Sequence, residues 1–309
     1  MIEFKTYDEQ IDILIGRGMI IDDREITKLF LEKNNYYNVI NAYKDIFLDK
    51  AYYPDKYLPE TSFEHIKILW FFDKQLSHEI FRYTTIVERT LKSKIAYVIS
   101  RKFGTKEDDY LNIHNFNEKH KHGAEELIKN IYIAIDKSLK QKNEMICHYR
   151  KQHSFIPFWV LVNVLSFNEI SKFYRYLRDD IQINIAQELS ALLDKKLFPK
   201  NIIDNVKIIN LFRNLCAHDQ RTFDFNAFAG ISPAHPINIH CNKTDIADKL
   251  FALVCSFYNV LDKKAFNEFA TMLNDLWNEL ESGLPDNNIL TIYKKAGFPS
   301  NWRNILSMK

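Results

Sequence analysis

The sequence is short of turn-forming residues. Its 309 positions hold 7 Gly and 8 Pro, too few for the many hairpins of a β-sandwich or barrel. It has no apolar run long enough to cross a bilayer, which takes about 20 residues. The longest, FWVLVNVLSF (Phe158 to Phe167), is about half that and contains Asn163. The opening MIEFKTYDEQ lacks the charged, apolar and small-residue regions of a signal peptide, so a cytoplasmic protein without a membrane role is expected. Four cysteines (Cys147, Cys216, Cys241 and Cys255) show no C-x2-C pairing, and thiols in a reducing compartment are the simplest expectation. No P-loop, G-x-G-x-x-G, G-x-S-x-G or H-E-x-x-H occurs, which leaves nucleotide-driven and zinc-protease chemistry without a motif. Net charge is only +2, so any basic surface must be local.

What the chain does have is apolar material at helical spacing. Apolar residues make up 46%, with 23 Phe and 16 Tyr, enough for a substantial core. In Ser62 to Phe103, the residues Leu69, Phe72, Leu76, Ile80, Tyr83, Val87, Leu91, Ile95 and Val98 recur at steps of three and four. That predicts one long helix, or two nearly collinear ones, stopped by Gly104. Upstream, Asp22 to Asn34 has an acidic start and an apolar stripe of Ile26, Leu29 and Phe30, and Asn35 to Leu48 is again helical in period. Ala51 to Glu60, with two prolines, reads as a linker. Helices are expected at 122–141, 143–152, 157–178, 180–195 and 200–219, with a break near Phe167 where Ser166-x-x-Glu169 has capping-box spacing. Gly230 to His240 reads as a loop with room for a short strand. Two or three more helices are expected to about residue 282, then a short tail helix, a Gly-Phe-Pro turn and a last helical turn. The expected architecture is an all-α bundle built on one long helix. Its parts are an N-terminal helical module (1–55), a helical core (56–285) and a C-terminal tail packed on the bundle (286–309).

One predicted helix poses a chemical question. On a wheel of about 100° per residue, Ile208, Leu211, Phe212, Leu215 and Cys216 of IINLFRNLCAHDQR share one side, with Ile209 at its edge. Asn210, Arg213, Asn214 and Ala217 take the other, with Lys207 and His218 at the rim. Asn214 and His218 are i,i+4 neighbours, whereas Arg213 stands about 140° from His218. Two readings stand. His218 is a last-turn histidine that favours the helix dipole, beside a solvated Arg213. Or the pair serves metal-independent RNA cleavage: histidine moves protons near neutral pH and guanidinium holds phosphate oxygens. In the second reading two copies of the helix pool their pairs across a two-fold axis, and Arg221 adds a phosphate contact.

The segment RNLCAH resembles the Arg-Asn-x-x-x-His form of the HEPN ribonuclease motif, R-x(4–6)-H. Other stretches, in order, resemble the Abi-like family of bacterial abortive-infection proteins (AbiD/AbiF type). They are EQIDILIGRGMIIDD (from Glu9), NNYYNVINAYKDIFL (from Asn34), IVERTLKSKIAYVIS (from Ile86), IPFWVLVNVLSFNEISKFY (from Ile156), RNLCAHDQR (from Arg213) and YKKAGFPSNW (from Tyr293). The resemblance implies a HEPN-type helical core and a cytoplasmic toxin-like endoribonuclease acting in phage defence. It also implies restraint by an antitoxin, a structured small RNA being the candidate, and a homodimer or higher homo-oligomer. It makes Arg213 and His218 the catalytic pair and Asn214 the polar residue after the arginine. Two positions depart from the family pattern. Asp219 follows the motif histidine where another His or Asn is usual, and Asn163 stands where an acidic residue is usual. A carboxylate beside His218 would either raise its pKa or hold the ring.

Further candidates are weaker. Glu88 is spaced to pair with Lys92 on its own helix, or to orient Arg213 from a neighbouring one. The stretch Glu118 to His153 holds Lys119, Lys121, Lys129, Lys137, Lys140, Lys142, Arg150 and Lys151, with Tyr132 and Tyr149 available for stacking. It reads either as a solvated hairpin or as an RNA-binding track. His120 and His122 lack a carboxylate or Cys at ligand spacing, as do His235, His240 and Cys241, so neither a metal nor another cofactor is implied. Tyr36, Tyr37 and Tyr43 suggest an aromatic face that packs on the bundle. The alternative to a ribonuclease is a non-catalytic RNA-binding scaffold that holds a structured small RNA.

Overall fold

A computed structural model describes residues 3–227 and 248–307. The expected loop Gly230 to His240, with His235, His240 and Cys241, lies outside the described residues. Within them the fold is all-α and contains no sheet, only isolated bridges such as Ile20 to Ser62.

The centre of the bundle is α3 (Phe63–Phe103), one unbroken helix of 41 residues. Ser62 starts it with a capping box to His65, and Gly104, at φ +89°, ends it. Every residue of the predicted stripe from Leu69 to Val98 is buried. So are Asp73, Ser77 and Thr84, because α3 is covered on more than one side. Its main partners are α12 (Lys263–Gly283), α10 (Pro199–Ala217), α9 (Asp179–Leu193) and α7 (Phe158–Leu161). The α10 helix packs in turn on α11 (Leu250–Val260), α8 (Phe167–Tyr176) and α9. The predicted break at Phe167 is real. The Ser166 hydroxyl accepts from Glu169 N, and the Glu169 carboxylate accepts from Ser166 N, which starts α8. Short α4 (Glu107–Tyr110) follows Gly104, and the hairpin of α5 (Lys121–Lys140) and α6 (Glu144–His153) leans on α8. The chain closes with α13 (Asp286–Ala296), a left-handed Gly297 and α14 (Trp302–Ser307).

The N-terminal region differs from expectation in three ways. A helix not foreseen from periodicity, α1 (Tyr7–Gly16), opens the chain through a Thr6–Glu9 capping box. It packs on α2 (Arg24–Asn34), which is clamped to it by Lys28–Asp8 and Arg24–Asp12 pairs, each at 2.7 Å. Of the predicted α2 stripe only Phe30 packs on the core, edge-on to Phe63 and Trp70. Thr27 and Leu31 point inward, whereas Ile26 and Leu29 are 57% and 51% exposed. A peripheral helix is covered along only a narrow strip, so the edge of its apolar arc stays in solvent. The expected helix at Asn35 to Leu48 is helical over 36–46, but its centre is a π turn (Tyr37–Asn41) and its end a 3-10 turn (Lys44–Ile46).

The segment Ala51 to Glu60 was expected as a linker. It is stitched down by Asp49 N to Lys56 O, Leu58 N to Phe47 O and Tyr57 N to Arg17 O, each at 2.9 Å, with Tyr57 buried. One continuous apolar core runs from Ile11 to Ile305. Each fully buried large side chain contributes about 1.5–3 kcal/mol.

Candidate functional site

The α10 helix starts with Pro199, whose missing N–H costs nothing at the first helical position. It anchors through Ile202, Val206, Ile208, Ile209, Phe212 and Leu215, all buried. Ile209, placed at the edge of the wheel, is fully inside, whereas Leu211 is half-buried. The opposite face carries the motif. Asn214, Ala217 and His218 are exposed and Arg213 is half-buried. The guanidinium of Arg213 lies over the Phe81 ring of α3, 5.6 Å from its centroid, and donates to Asn214 Oδ1 at 3.4 Å. His218 is the C-capping residue, and its backbone N–H is shared between Asn214 O and Leu215 O. His218 is exposed to solvent, and among the described residues no side-chain partner holds its ring.

The turn after His218 is held far more firmly than its exposure suggests. Asp219 takes φ +52°, a left-handed conformation that Asp tolerates better than most residues. Lys74 of α3 donates to both its carboxylate (2.6 Å) and its carbonyl (2.8 Å). The Asp219 carboxylate is thus turned toward Lys74. Next, Thr222 N and Phe223 N donate to the carboxylate of Asp73, which also accepts from Tyr43 Oη at 2.7 Å. Asp73 is fully buried, and that burial pushes its pKa up to about 6 against the pull of these donors. Burial likewise pushes the Cys216 thiol up to about 11, a poor nucleophile at neutral pH.

Arg221 is not placed as a phosphate contact. Its guanidinium is clamped between Asp45 and Asp224, donates to Ala42 O, and stacks on Phe223 at 4.5 Å and Tyr43 at 5.4 Å. With both terminal nitrogens engaged and its side chain 18% exposed, it locks the post-motif loop to the N-terminal region. Lys295 joins the same cluster through Asp45. Glu88 pairs with Lys92 at 2.7 Å, and Lys92 also donates to Leu165 O. Arg213 is seated by Phe81 and Asn214, with no contact to Glu88 among the described residues.

The basic hairpin splits by environment. Arg150 is structural: it pairs with buried Glu107, which also accepts Ile156 N. Lys119 and Lys121 sit beside Asp179 and Glu118 at 3.9 and 3.6 Å. Lys129, Lys137, Lys140, Lys142 and Lys151 are exposed. Tyr132 is 38% exposed and Tyr149 half-buried. His120 leans on the Tyr176 ring. Of the three N-terminal tyrosines, Tyr43 is core, Tyr36 half-buried and Tyr37 exposed. Among the described residues no group of three His, Cys, Asp or Glu is placed to hold a metal, and no helix is long and apolar enough to cross a membrane.

Three residues that sequence reasoning passed over border this face. Asp73 and Lys74 fix the turn. Exposed His78 lies on α3 one turn from both Lys74 and Phe81, on the flank that meets Asp219 and Arg213. A carboxylate interrupting the Leu69–Phe72–Leu76 stripe was the available signal for Asp73.

A family model described as Abi-like protein matches residues 29–224. The match takes in all of α3, the hairpin and the segment from Arg213 to Arg221. No curated protein and no solved structure matches the chain.

Proposed function

The chain belongs to the Abi-like protein family, whose name points to phage defence by abortive infection, and on that premise we propose that it is a metal-independent endoribonuclease of the HEPN type. One observation supports this above the rest. An exposed His218 and a half-buried Arg213 share the face of α10 turned from the core, while the turn beneath them is braced by a buried carboxylate and a lysine from α3. A merely solvated helix end has no need of such bracing.

In the proposed reaction a ribose 2′-OH loses its proton to a base, and its oxygen bonds to the adjacent phosphorus. The P–O5′ bond breaks, and the departing 5′-oxygen takes a proton. His218 performs one of the two transfers. Arg213 neutralises the charge that builds on the non-bridging oxygens, its guanidinium steadied over the Phe81 ring. The companion group for the other transfer is His78 of the same chain or His218 of a second copy. Asn214 keeps the guanidinium in place. A structured small RNA as antitoxin, and a homodimer, belong to the same proposal.

The test is metal-free incubation of wild type and His218→Ala with total bacterial RNA, followed by mapping of the cut ends. Ends with 2′,3′-cyclic phosphate and 5′-hydroxyl from wild type alone are expected. Ends with 5′-phosphate, or cleavage that stops in EDTA, refute the mechanism. The second reading, a scaffold that holds RNA without cutting it, draws on the exposed Lys137, Lys140, Lys142 and Lys151. It predicts steep salt dependence of RNA binding in wild type and His218→Ala alike.

A further inference from the structure

A groove of about 780 Å³ lies between the C-terminal half of α3 and α7, away from the Arg213–His218 face. Its size falls within the ~300–1,000 Å³ typical of ligand sites. Arg89, Lys92, Tyr97, Arg101, Trp159 and Asn163 supply its chemistry, and Ser93 and Ser100 also line it. Three of these side chains are cationic and none is a carboxylate.

The aromatic residues are held outside the core by design of the backbone. In α7 and just after it, Phe158, Val160, Leu161 and Val162 are buried, whereas Trp159 between them is 44% exposed. Asn163 fixes that arrangement by donating from its side-chain amide to Trp159 O and Val160 O. Tyr97 on α3 is 53% exposed, with the Arg101 guanidinium over its ring at 4.9 Å. Arg101 leans on Glu188, and Lys92 on Glu88. Exposed Arg89 has no hydrogen-bond or ion-pair partner among the described residues. An indole, a phenol ring and a guanidinium without a protein partner among the described residues thus border one cavity. It suits a ligand with flat π faces and a negative backbone.

We infer that this groove binds unpaired nucleotides of single-stranded RNA, with bases stacked on Trp159 and Tyr97 and phosphates held by Arg89 and Arg101. Double-stranded RNA keeps its bases stacked internally and cannot offer them to the two rings. The inference deepens the ribonuclease proposal, since it names the RNA form that the chain engages and a subsite remote from the cut. Arg82, Arg89 and Ala96 are spaced seven apart on α3 and so share one face of the helix. The distance from Phe81 to Ala96 is about 22 Å at 1.5 Å per residue, so one strand along α3 reaches both places.

The test uses the full chain carrying His218→Ala, so that RNA stays intact, and a labelled oligouridylate against a duplex of equal length. Trp159→Ala is expected to weaken oligouridylate binding about tenfold, in line with one lost stacking contact. Trp159→Phe should stay within about twofold. Arg89→Ala should weaken binding and lower the salt slope by roughly one. The duplex should bind weakly and equally to all variants. Both side chains are exposed, so melting curves should match the parent. Unchanged binding in Trp159→Ala and Arg89→Ala, or duplex binding as tight as single strand, overturns the inference. The two proposals fail separately. If wild type cuts RNA but Trp159→Ala binds and cuts alike, the groove assignment falls and the ribonuclease stands. If Trp159 governs binding but nothing is cut, the groove stands and the ribonuclease falls.

Discussion

Replacing Asp73 with alanine removes a group that ties the post-motif loop, the long helix and the N-terminal region together. Three buried donors lose their acceptor: Thr222 N–H, Phe223 N–H and Tyr43 O–H. At about 1–3 kcal/mol per orphaned group the gross loss is roughly 3–9 kcal/mol, with a midpoint of ~6. The carboxylate's own burial works in the other direction. Its pKa rises from 3.8 to about 6, and two units at about 1.36 kcal/mol each return ~3 kcal/mol when the charge is removed. The net expectation is a destabilisation of about 3 kcal/mol at pH 7. Against a typical stability of ~5–15 kcal/mol the chain stays folded, with a melting temperature lower by roughly 6–12 °C.

The pH dependence has a definite sign. Because the folded pKa lies above the unfolded one, protonation of Asp73 favours the native state. That contribution is fully present below about 3.8 and is lost as pH rises through about 6. Asp73→Asn cannot titrate, so the stability of wild type minus that of Asp73→Asn should fall between pH 4 and pH 7. Urea unfolding followed by circular dichroism at both pH values measures it. An Asp73→Ala protein within 1 kcal/mol of wild type, or a difference from Asp73→Asn that is flat across this range, would refute the reasoning.

Other expected outcomes are equally specific. Arg213→Ala and His218→Ala should melt within ~0.5 kcal/mol of wild type, because both side chains lie outside the core, yet lose at least ~10²-fold in RNA cleavage; an unfolded variant would contradict the packing described. Arg221→Ala should lose about 1–3 kcal/mol of stability by leaving Asp45 and Asp224 to Lys295 alone; an unchanged melt with selectively weaker RNA binding would restore it as a phosphate contact. Asp219→Gly should be tolerated at φ +52°, whereas Asp219→Val should cost about 1–2 kcal/mol in the same chemical melt; equal stabilities would show that the left-handed turn is not maintained.

Much of the scaffold was legible in advance because it depends on neighbours within one or two helical turns. The α3 stripe, the stop at Gly104 and the Ser166–Glu169 box are of this kind. So is the polar placement of Arg213 and His218, since the wheel depends only on the identity of the facing residues. The failures share a different cause. Ile26 and Leu29 have helical spacing as good as any in α3, but no second element lies against them. Arg221 sits one turn past the motif and looked available, yet Asp45 lies about 176 positions away in sequence. The pairing Glu88–Lys92 came out of local spacing, while the seating of Arg213 on Phe81 did not, because it joins α10 to α3.

Hydrophobic period, capping residues and scarce Gly and Pro by themselves determined an all-α chain, its long central helix and an Arg–His pair on a helix face turned from the core. Those properties are local, decided by side chains three or four positions apart. Only the tertiary structure decided that Asp73 would grip the backbone some 150 residues downstream, that Arg221 would be consumed as a clamp, and that Trp159, Tyr97 and Arg89 would face one groove. Each of those depends on which distant helices meet and at what angle, and no periodicity along a single segment encodes it.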